Sequence, residues 1–301
     1  MHHGIVKTAL LSFAMVVVLL GTAARGDDSR TTALKEINAS LTAMGGEATL
    51  RSVHSLQISA VGHRNMLEQS LRPDGPWWQD YFQLTETRDF LGQRERVTSL
   101  HRGYSSPQWW LRHESWDGDP YYPTFVVANG AVAKVSDGKF SRFSSSHLQD
   151  AEEDLAFDPI ALLLAGLVSP DLHTETDRLF HGFKHHVLGW TWNHVPVHLL
   201  LNSYTDLPEM VEWTRPRPYD VFWNPWGDVS TEVVFGMWTL EPEGLRYPRQ
   251  WTTERDGLPD SDISITSLTV TPTISETELT IPEDTKKDYL AHKVAIDDLP
   301  L

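Results

Sequence analysis

Apolar residues early in the chain recur at the spacing of one helix face. Four of them share this spacing: Leu34, Ile37, Leu41 and Met44. A recurrence every three or four residues is typical of an amphipathic helix. Gly45-Gly46 follows the last of them and is a stop signal for a helix. The pattern therefore predicts a helix over Thr32–Met44 whose apolar stripe needs a surface to cover.

From residue 55 onward the apolar positions mostly alternate with polar ones, which is the period of a half-buried strand. The first such stretch is Ser55–Gly62, and turn residues separate it from the later ones. The later predicted strands are Trp78–Thr87, Glu95–Tyr104, Trp109–Asp117, Thr124–Val135, Lys139–Ser144, Val195–Leu201, Glu209–Thr214, Val229–Leu240, Tyr247–Glu254 and Ile263–Thr271. The succession predicts an α+β domain, mainly β, with a consecutive antiparallel sheet.

Helical spacing returns in Leu148–Leu167. Its first part is acidic at Asp150–Asp154, and Pro159–Leu167 is almost wholly apolar. We expect one buried helix that covers the sheet and ends before Pro170.

The amino terminus has the form of an export signal. Met1–Lys7 is followed by the apolar run Ala9–Leu20 and then by small residues. The run is shorter than the roughly 20 residues of a membrane span, which leaves an uncleaved anchor as the less favoured alternative. We expect residues 1–26 to be a signal peptide, 27–282 the β domain and 283–301 a loosely held tail. The expected location is secreted or periplasmic, with no membrane span in the mature chain.

Composition narrows the classes of partner. The chain has no cysteine and a formal charge of −16, which becomes −18 when Lys7 and Arg25 leave with the signal. Such a surface repels polyanions, so nucleic acid is excluded as a partner. The charge does not exclude an apolar ligand inside a cavity.

Aromatic residues are abundant, with 12 tryptophans in 301 residues. Indole and phenol rings suit the lining of a cavity for a hydrophobic ligand, although core packing is the other interpretation. The candidate lining residues are Trp192, Tyr204, Trp213, Trp223, Trp238 and Tyr247.

Candidate catalytic groups are weaker. They cluster between residues 177 and 194: Asp177, His181, His185, His186 and His194. The four-residue spacing of His181 and His185 would place both on one helix face, where they could share a metal or act in acid–base chemistry. Gly182 between them disfavours a helix, and we expect neither a metal nor another cofactor. Neither a cysteine nucleophile nor a Gly-x-Ser-x-Gly elbow occurs in the sequence.

Several short motifs, in order along the chain, carry a resemblance to a known exported domain. They are Ala43–Gly46 with Leu50, Val53 and Leu56, Ser70–Arg72, Val197–Leu201, Tyr204–Pro208, Trp226–Val229, Gly244–Pro248, Leu268–Thr271 and Ile281-Pro282. Together they resemble the amino-terminal domain that precedes the metallo-hydrolase module in exported bacterial proteins of the metallo-β-lactamase superfamily. That domain is similar to the LolA-like lipoprotein-carrier half-barrels.

The resemblance implies a curved antiparallel sheet wrapped around covering helices, with an apolar interior that shelters a lipid or another hydrophobic small molecule. The His-x-His-x-Asp-His motif of the metallo-hydrolase is absent, so that activity is not implied. Two alternatives to a non-catalytic binding protein stay open. One is a cofactor-independent enzyme that uses the same cavity for proton transfer or hydrolysis. The other is an interaction module for a separately encoded hydrolase.

Overall fold

The computed structural model describes residues 28–67, 75–102, 124–143, 145–217 and 227–293. The expected signal peptide, the strand predicted at Trp109–Asp117 and the cavity candidate Trp223 lie outside these residues.

Within these residues, one antiparallel sheet of 14 strands forms most of the structure, as the sequence predicts. The strands are β1 (Ser55–Met66), β2 (Trp78–Asp89), β3 (Arg94–Arg102), β4 (Thr124–Ala128), β5 (Ala131–Ser136), β6 (Lys139–Arg142), β7 (His173–Thr174), β8 (Arg178–Phe180), β9 (Phe183–Trp192), β10 (Val195–Asn202), β11 (Pro208–Pro216), β12 (Asp228–Leu240), β13 (Arg246–Arg255) and β14 (Leu258–Val270). Their spatial order is β6-β5-β4-β3-β2-β1-β14-β13-β12-β11-β10-β9-β7, with β8 paired to β9. The pairing of β1 with β14 brings the first and the last strand together in the middle of the sheet.

The helices are α1 (28–43), α2 (Glu47–Ser52), α3 (Ser145–Ala156), α4 (Pro159–Val168) and α5 (Glu283–His292), with a 3-10 turn at Glu276–Glu278. The fold class predicted from the sequence is confirmed: the sheet is curved, antiparallel and accompanied by a few helices. Among the helices of the described residues, none combines the length and the apolar character needed to cross a lipid bilayer.

The main core lies between α1, α4 and one face of the sheet, which we call the inner face. Ile37 and Leu41 of α1, Leu163 of α4, and Ile58 and Leu199 of the sheet are all buried in it. Apolar area removed from water at about 25 cal/mol per Å² is the dominant stabilising contribution here. The amphipathic helix predicted at Thr32–Met44 is confirmed, and its stripe covers the sheet.

Gly45 ends α1 in a conformation that other residues rarely adopt, with φ of 121°. A Cβ at this position would lie 2.3 Å from the carbonyl oxygen of Gly244 in the turn between β12 and β13. The glycine therefore permits the close contact that seats α1 against this turn.

A second core lies under β4 and β5. Leu148 and Ala151 of α3 pack there with Val132, and Tyr289 of α5 is 1% exposed in the same cluster. The segment predicted as a loosely held tail thus begins with a helix that is anchored by a buried tyrosine.

The single helix predicted over Leu148–Leu167 is wrong, because the structure divides it into α3 and α4. Asp158 is the N-cap of α4 and accepts a hydrogen bond from the Ile160 backbone N–H, and Pro159 occupies the first turn. An aspartate followed by proline is a favoured helix start, so a second helix begins here. The run Thr124–Val135 is likewise divided into β4 and β5 at Asn129-Gly130, both of which have positive φ.

Candidate functional site

A cavity of about 260 Å³ lies on the inner face beneath α3. The volume is slightly below the ~300–1,000 Å³ of typical small-molecule pockets and suits a ligand of modest size. The sheet supplies an apolar wall, and α3 supplies a charged rim. The wall consists of Phe82, Leu84, Val97, Val233, Trp251 and Ile263, with Phe157 and Trp213 beside them.

Arginines from the sheet hold the acidic side of α3. Arg217 donates from Nη1 to Asp150 Oδ1 at 2.6 Å and from Nη2 to Glu153. Arg215 Nη1 donates to Glu153 Oε1 at 3.3 Å. Arg255 Nη2 lies 3.7 Å from Asp150 Oδ1. The rim of the cavity is thus a network of ion pairs between the helix and β11 and β13.

A second network closes the inner end, where α3 meets α4. The Arg88 guanidinium donates to Glu86 and, at 3.1 Å, to Asp158 Oδ2. The Tyr247 hydroxyl donates to the same Asp158 oxygen at 2.6 Å. Arg88 is 4% exposed and Asp158 fully buried. Buried charges of this kind are tolerated only when they are paired and hydrogen-bonded, and these groups satisfy that condition.

The pKa values of two carboxyl groups beside Arg88 are shifted in opposite directions. Burial opposes the ionisation of Glu86, but the adjacent Arg88 holds the pKa of Glu86 below its ordinary value. Burial and the charge of Glu86 together raise the pKa of Glu95 well above its ordinary value. Arg88 thus favours the ionised form of Glu86, whereas burial and the charge of Glu86 oppose the ionisation of Glu95.

Asp154 faces the cavity from α3. Burial raises the pKa of Asp154 to about 7, and the nearby charge of Arg88 only partly opposes this. The residue is exposed to solvent, and it lines the cavity. A cavity-facing acid that titrates near neutrality is a feature of functional sites.

Three hydrogen-bond donors along the cavity have no acceptor among the described residues. They are the indole N–H of Trp213, the hydroxyl of Thr231 and the indole N–H of Trp251. Trp213 and Thr231 are 3% and 2% exposed and sit directly opposite each other on β11 and β12. A buried polar group without a partner costs about 1–3 kcal/mol, so an acceptor atom on a bound molecule would relieve it.

The aromatic residues predicted to line a cavity fall in three places. Trp213 lines it, and Trp192 packs edge-on against Phe157 with ring centroids 4.9 Å apart. Trp238 packs against the main core, and Tyr247 is fully buried in the Asp158 network. Tyr204 is 92% exposed and lies in the turn between β10 and β11, away from the cavity.

The histidines do not form a site with the cavity. His181 and Gly182 make the turn between β8 and β9 with φ of 48° and 83°, so the shared helix face suggested by the spacing of His181 and His185 is wrong. His194 lies exposed in the next turn. Glycine at the second turn position permits the positive φ that a tight hairpin requires.

The remaining candidates form hydrogen bonds with acidic side chains in this hairpin region. Fully buried His185 contacts Glu209 Oε2 through Nε2 at 2.7 Å. His186 contacts Asp177 at 3.1 Å, and Lys184 lies 2.6 Å from the other Asp177 oxygen. These hydrogen bonds hold the pKa of Asp177 below its ordinary value. Within the described ranges no group of three histidine or acidic side chains is arranged to hold a metal.

Sequence reasoning missed the arginines that define the cavity. Arg64, Arg88, Arg217 and Arg255 lie on three strands and one loop start and are scattered over the sequence. The alternation of the strands offered a signal for Arg64, Arg88 and Arg255, because each occupies a position where an apolar inward residue is expected.

No family model matches the chain, and neither does any curated protein. Solved structures align with it over most of its length at low identity. A domain described as an outer membrane lipoprotein-sorting protein from Vibrio parahaemolyticus aligns at 11% identity and a TM-score of 0.47, over 83% of this chain and 97% of that one. A DUF1329 family protein from Desulfovibrio piger aligns at 12% identity and a TM-score of 0.40, over 82% and 96%.

LprF from Mycobacterium bovis aligns at 10% identity and a TM-score of 0.31, over 81% of this chain and 95% of that one. Nothing in these comparisons links the chain to a metallo-hydrolase module, and that part of the sequence resemblance stays an expectation.

Proposed function

We propose that this protein is exported and binds a lipid or another hydrophobic small molecule in the cavity beneath α3. The observation that carries the proposal is the combination of an apolar wall with the buried, unsatisfied donors of Trp213 and Thr231. The apolar wall can pack against an acyl chain or a ring of the ligand. The donors can form hydrogen bonds with an acceptor oxygen of the ligand, such as an ester or amide carbonyl.

The rim determines which end of a ligand lies outward. Arg64 Nε donates to Asp260 at 3.3 Å, and Arg255 lies 3.8 Å from the same carboxylate. Of these groups only Arg64 is substantially exposed, and a polar headgroup can exchange hydrogen bonds with it, whereas an apolar chain gains free energy only against the wall. We therefore expect the ligand to be amphiphilic, with its apolar part innermost. The location in the periplasm or cell envelope rests on the apolar amino-terminal run.

The sharpest test uses Thr231→Val, which removes one unsatisfied hydroxyl and keeps the shape of the side chain. If a ligand oxygen accepts from Thr231, affinity falls about 2- to 10-fold, as expected for one lost hydrogen bond of about 0.5–1.5 kcal/mol. The ligand-free variant should be as stable as the parent or more so, because a buried unsatisfied group has been removed. A variant with lower ligand affinity but higher stability would show that the Thr231 hydroxyl donates a hydrogen bond to the ligand.

Ligands would be found by native mass spectrometry of protein purified from its exported compartment, and affinities measured by titration with fluorescent fatty acid. Trp238→Phe is the matched control, because its indole N–H also lacks a partner in the described part of the chain but does not line the cavity. Equal affinities for the parent and Thr231→Val, or no uptake of any amphiphile, would exclude the proposal.

A further inference from the structure

Ser99, His101 and Asp80 form a connected hydrogen-bonded series on the inner face. Ser99 Oγ lies 2.9 Å from His101 Nε2, and His101 Nδ1 lies 2.6 Å from Asp80 Oδ2. An ionised carboxylate only accepts, so Nδ1 carries a proton and donates to Asp80. In the neutral ring Nε2 is then the acceptor, and the Ser99 hydroxyl donates to it.

The register of β1, β2 and β3 places this series beside the cavity. Ser99 pairs with Leu84 and His101 with Phe82, and both partners belong to the apolar wall. Asp80 pairs with Arg64 of the rim. Directly paired residues of an antiparallel sheet share a face, so all three groups point to the side on which the ligand is expected. The rings of Phe82 and His101 are 5.9 Å apart.

We propose that Ser99 is the nucleophile of an acyl-ester hydrolase site, with His101 as general base and Asp80 as its positioning residue. The substrate class is a carboxylic ester whose acyl chain occupies the cavity, so the proposal rests on the proposed binding function. The order of atoms, hydroxyl to Nε2 and Nδ1 to carboxylate, is the arrangement that activates serine in unrelated hydrolases.

The reaction balances without a cofactor. Ser99 Oγ attacks the carbonyl carbon while its proton passes to His101 Nε2. The tetrahedral intermediate expels the alcohol, which takes that proton, and leaves an acyl group on Ser99. Water then attacks the acyl carbon, gives a proton to Nε2, and releases the carboxylic acid as Ser99 recovers its proton. Asp80 stabilises the imidazolium that forms in each half of the cycle.

The test uses the purified full-length protein with p-nitrophenyl esters of short and medium acyl chains, and a fluorophosphonate probe whose site is mapped by peptide mass spectrometry. We expect the probe to label Ser99. Ser99→Ala should abolish both labelling and turnover. Asp80→Asn should lower kcat about 100-fold or more with little change in KM, which loss of binding would not produce. Ser264→Ala, a serine exposed on the outer face of β14, is the matched control and should keep full activity.

Binding of fluorescent fatty acid separates the two proposals. If the protein binds it and Ser99→Ala still binds it, but Ser99 is not labelled and turnover equals that of Ser99→Ala, the hydrolase proposal is overturned and the binding proposal stands. If fatty acid does not bind while labelling and turnover depend on Ser99, the hydrolase proposal stands with a different substrate orientation. If the protein neither binds fatty acid nor shows labelling and turnover that depend on Ser99, both the binding proposal and the hydrolase proposal are overturned.

Discussion

The two halves of the inner face are covered in different ways. Under α1 and α4, aliphatic side chains such as Ile37, Leu41 and Leu163 are in direct contact with the sheet. Under α3, the side chains of Asp150 and Glu153 meet the arginines of the sheet. Aliphatic packing leaves no space between helix and sheet, whereas long arginine side chains span a gap. The cavity lies where the covering helix is held by ion pairs.

The two sides of α3 reproduce this contrast within one helix. Leu148 and Ala151 pack against β4 and β5, and Asp150, Glu153 and Asp154 face the cavity. Close apolar packing on one side fixes the helix, and the charged side borders the open space of the cavity. Four predictions test this division between the aliphatic half of the inner face under α1 and α4 and the ionic half under α3.

Arg88→Met is expected to have the largest effect, because it leaves Glu86 and Asp158 buried without their cation. Breaking a buried pair from one side destabilises by about 3–5 kcal/mol. The measurement is the free energy of unfolding in urea. Arg51→Met, which removes an exposed pair with Glu47, should change it by less than about 0.5 kcal/mol and is the control. Equal effects of the two substitutions would show that the inner network is not a stability element.

Leu163→Ala tests the aliphatic half under α1 and α4. Leu163 is fully buried in α4, and its truncation should destabilise the protein by about 2–5 kcal/mol through lost burial and the space left behind. Titration at a temperature where the variant stays folded should show an unchanged affinity for fluorescent fatty acid. A large loss of affinity would mean that the two halves are not independent.

Tyr247→Phe removes one donor to Asp158 and nothing else of the network. We expect a loss of about 1–3 kcal/mol, since a buried carboxylate then lacks one partner. Tyr81→Phe is the comparison, because Tyr81 is 52% exposed and its hydroxyl forms an exposed hydrogen bond with half-buried Gln79. Thermal unfolding of both variants at equal concentration distinguishes the two environments.

Asp154 is exposed at the rim, where solvent screens its charge, so Asp154→Asn should have the smallest effect, a change in pH dependence. The pKa of Asp154 is raised from 3.8 in the unfolded chain to about 7 in the fold. The folded state therefore binds more protons between these values, and stability falls as pH rises through this window. The parent should lose stability relative to Asp154→Asn between about pH 4 and pH 7. Asp137→Asn, in an exposed turn, should follow the parent at every pH.

Local patterns were sufficient to predict the helix at Thr32–Met44 and most of the strands. Each element has its own period, and antiparallel neighbours follow each other along the chain. The start of α4 also had a local signal in Asp158-Pro159, and the hairpin at His181-Gly182 had one in its glycine. At α4 this signal was overridden by a longer pattern that fitted a helix, whereas Gly182 had already counted against a helix at His181.

The cavity could not be predicted in this way. Arg217 meets Glu153 across 64 residues of sequence, and Arg88 meets Asp158 across 70. Which charged positions face each other depends on the register of distant strands and on the placement of α3, and neither is encoded in a local window. The relation between Asp80 and His101 has the same origin, since it exists only when β2 and β3 are paired.

The order of the strands also bears on how the protein avoids sticking to copies of itself. An open sheet has two edges, and a long bare edge is a template for adding strands from other molecules. Here one edge is β6, which has four residues, carries Lys139 and Arg142, and is flanked by α5, whose Asp288 lies 3.3 Å from Arg142. At the other edge β7 has two residues. A sheet of 14 strands can therefore remain open without recruiting further chains into a growing fibre.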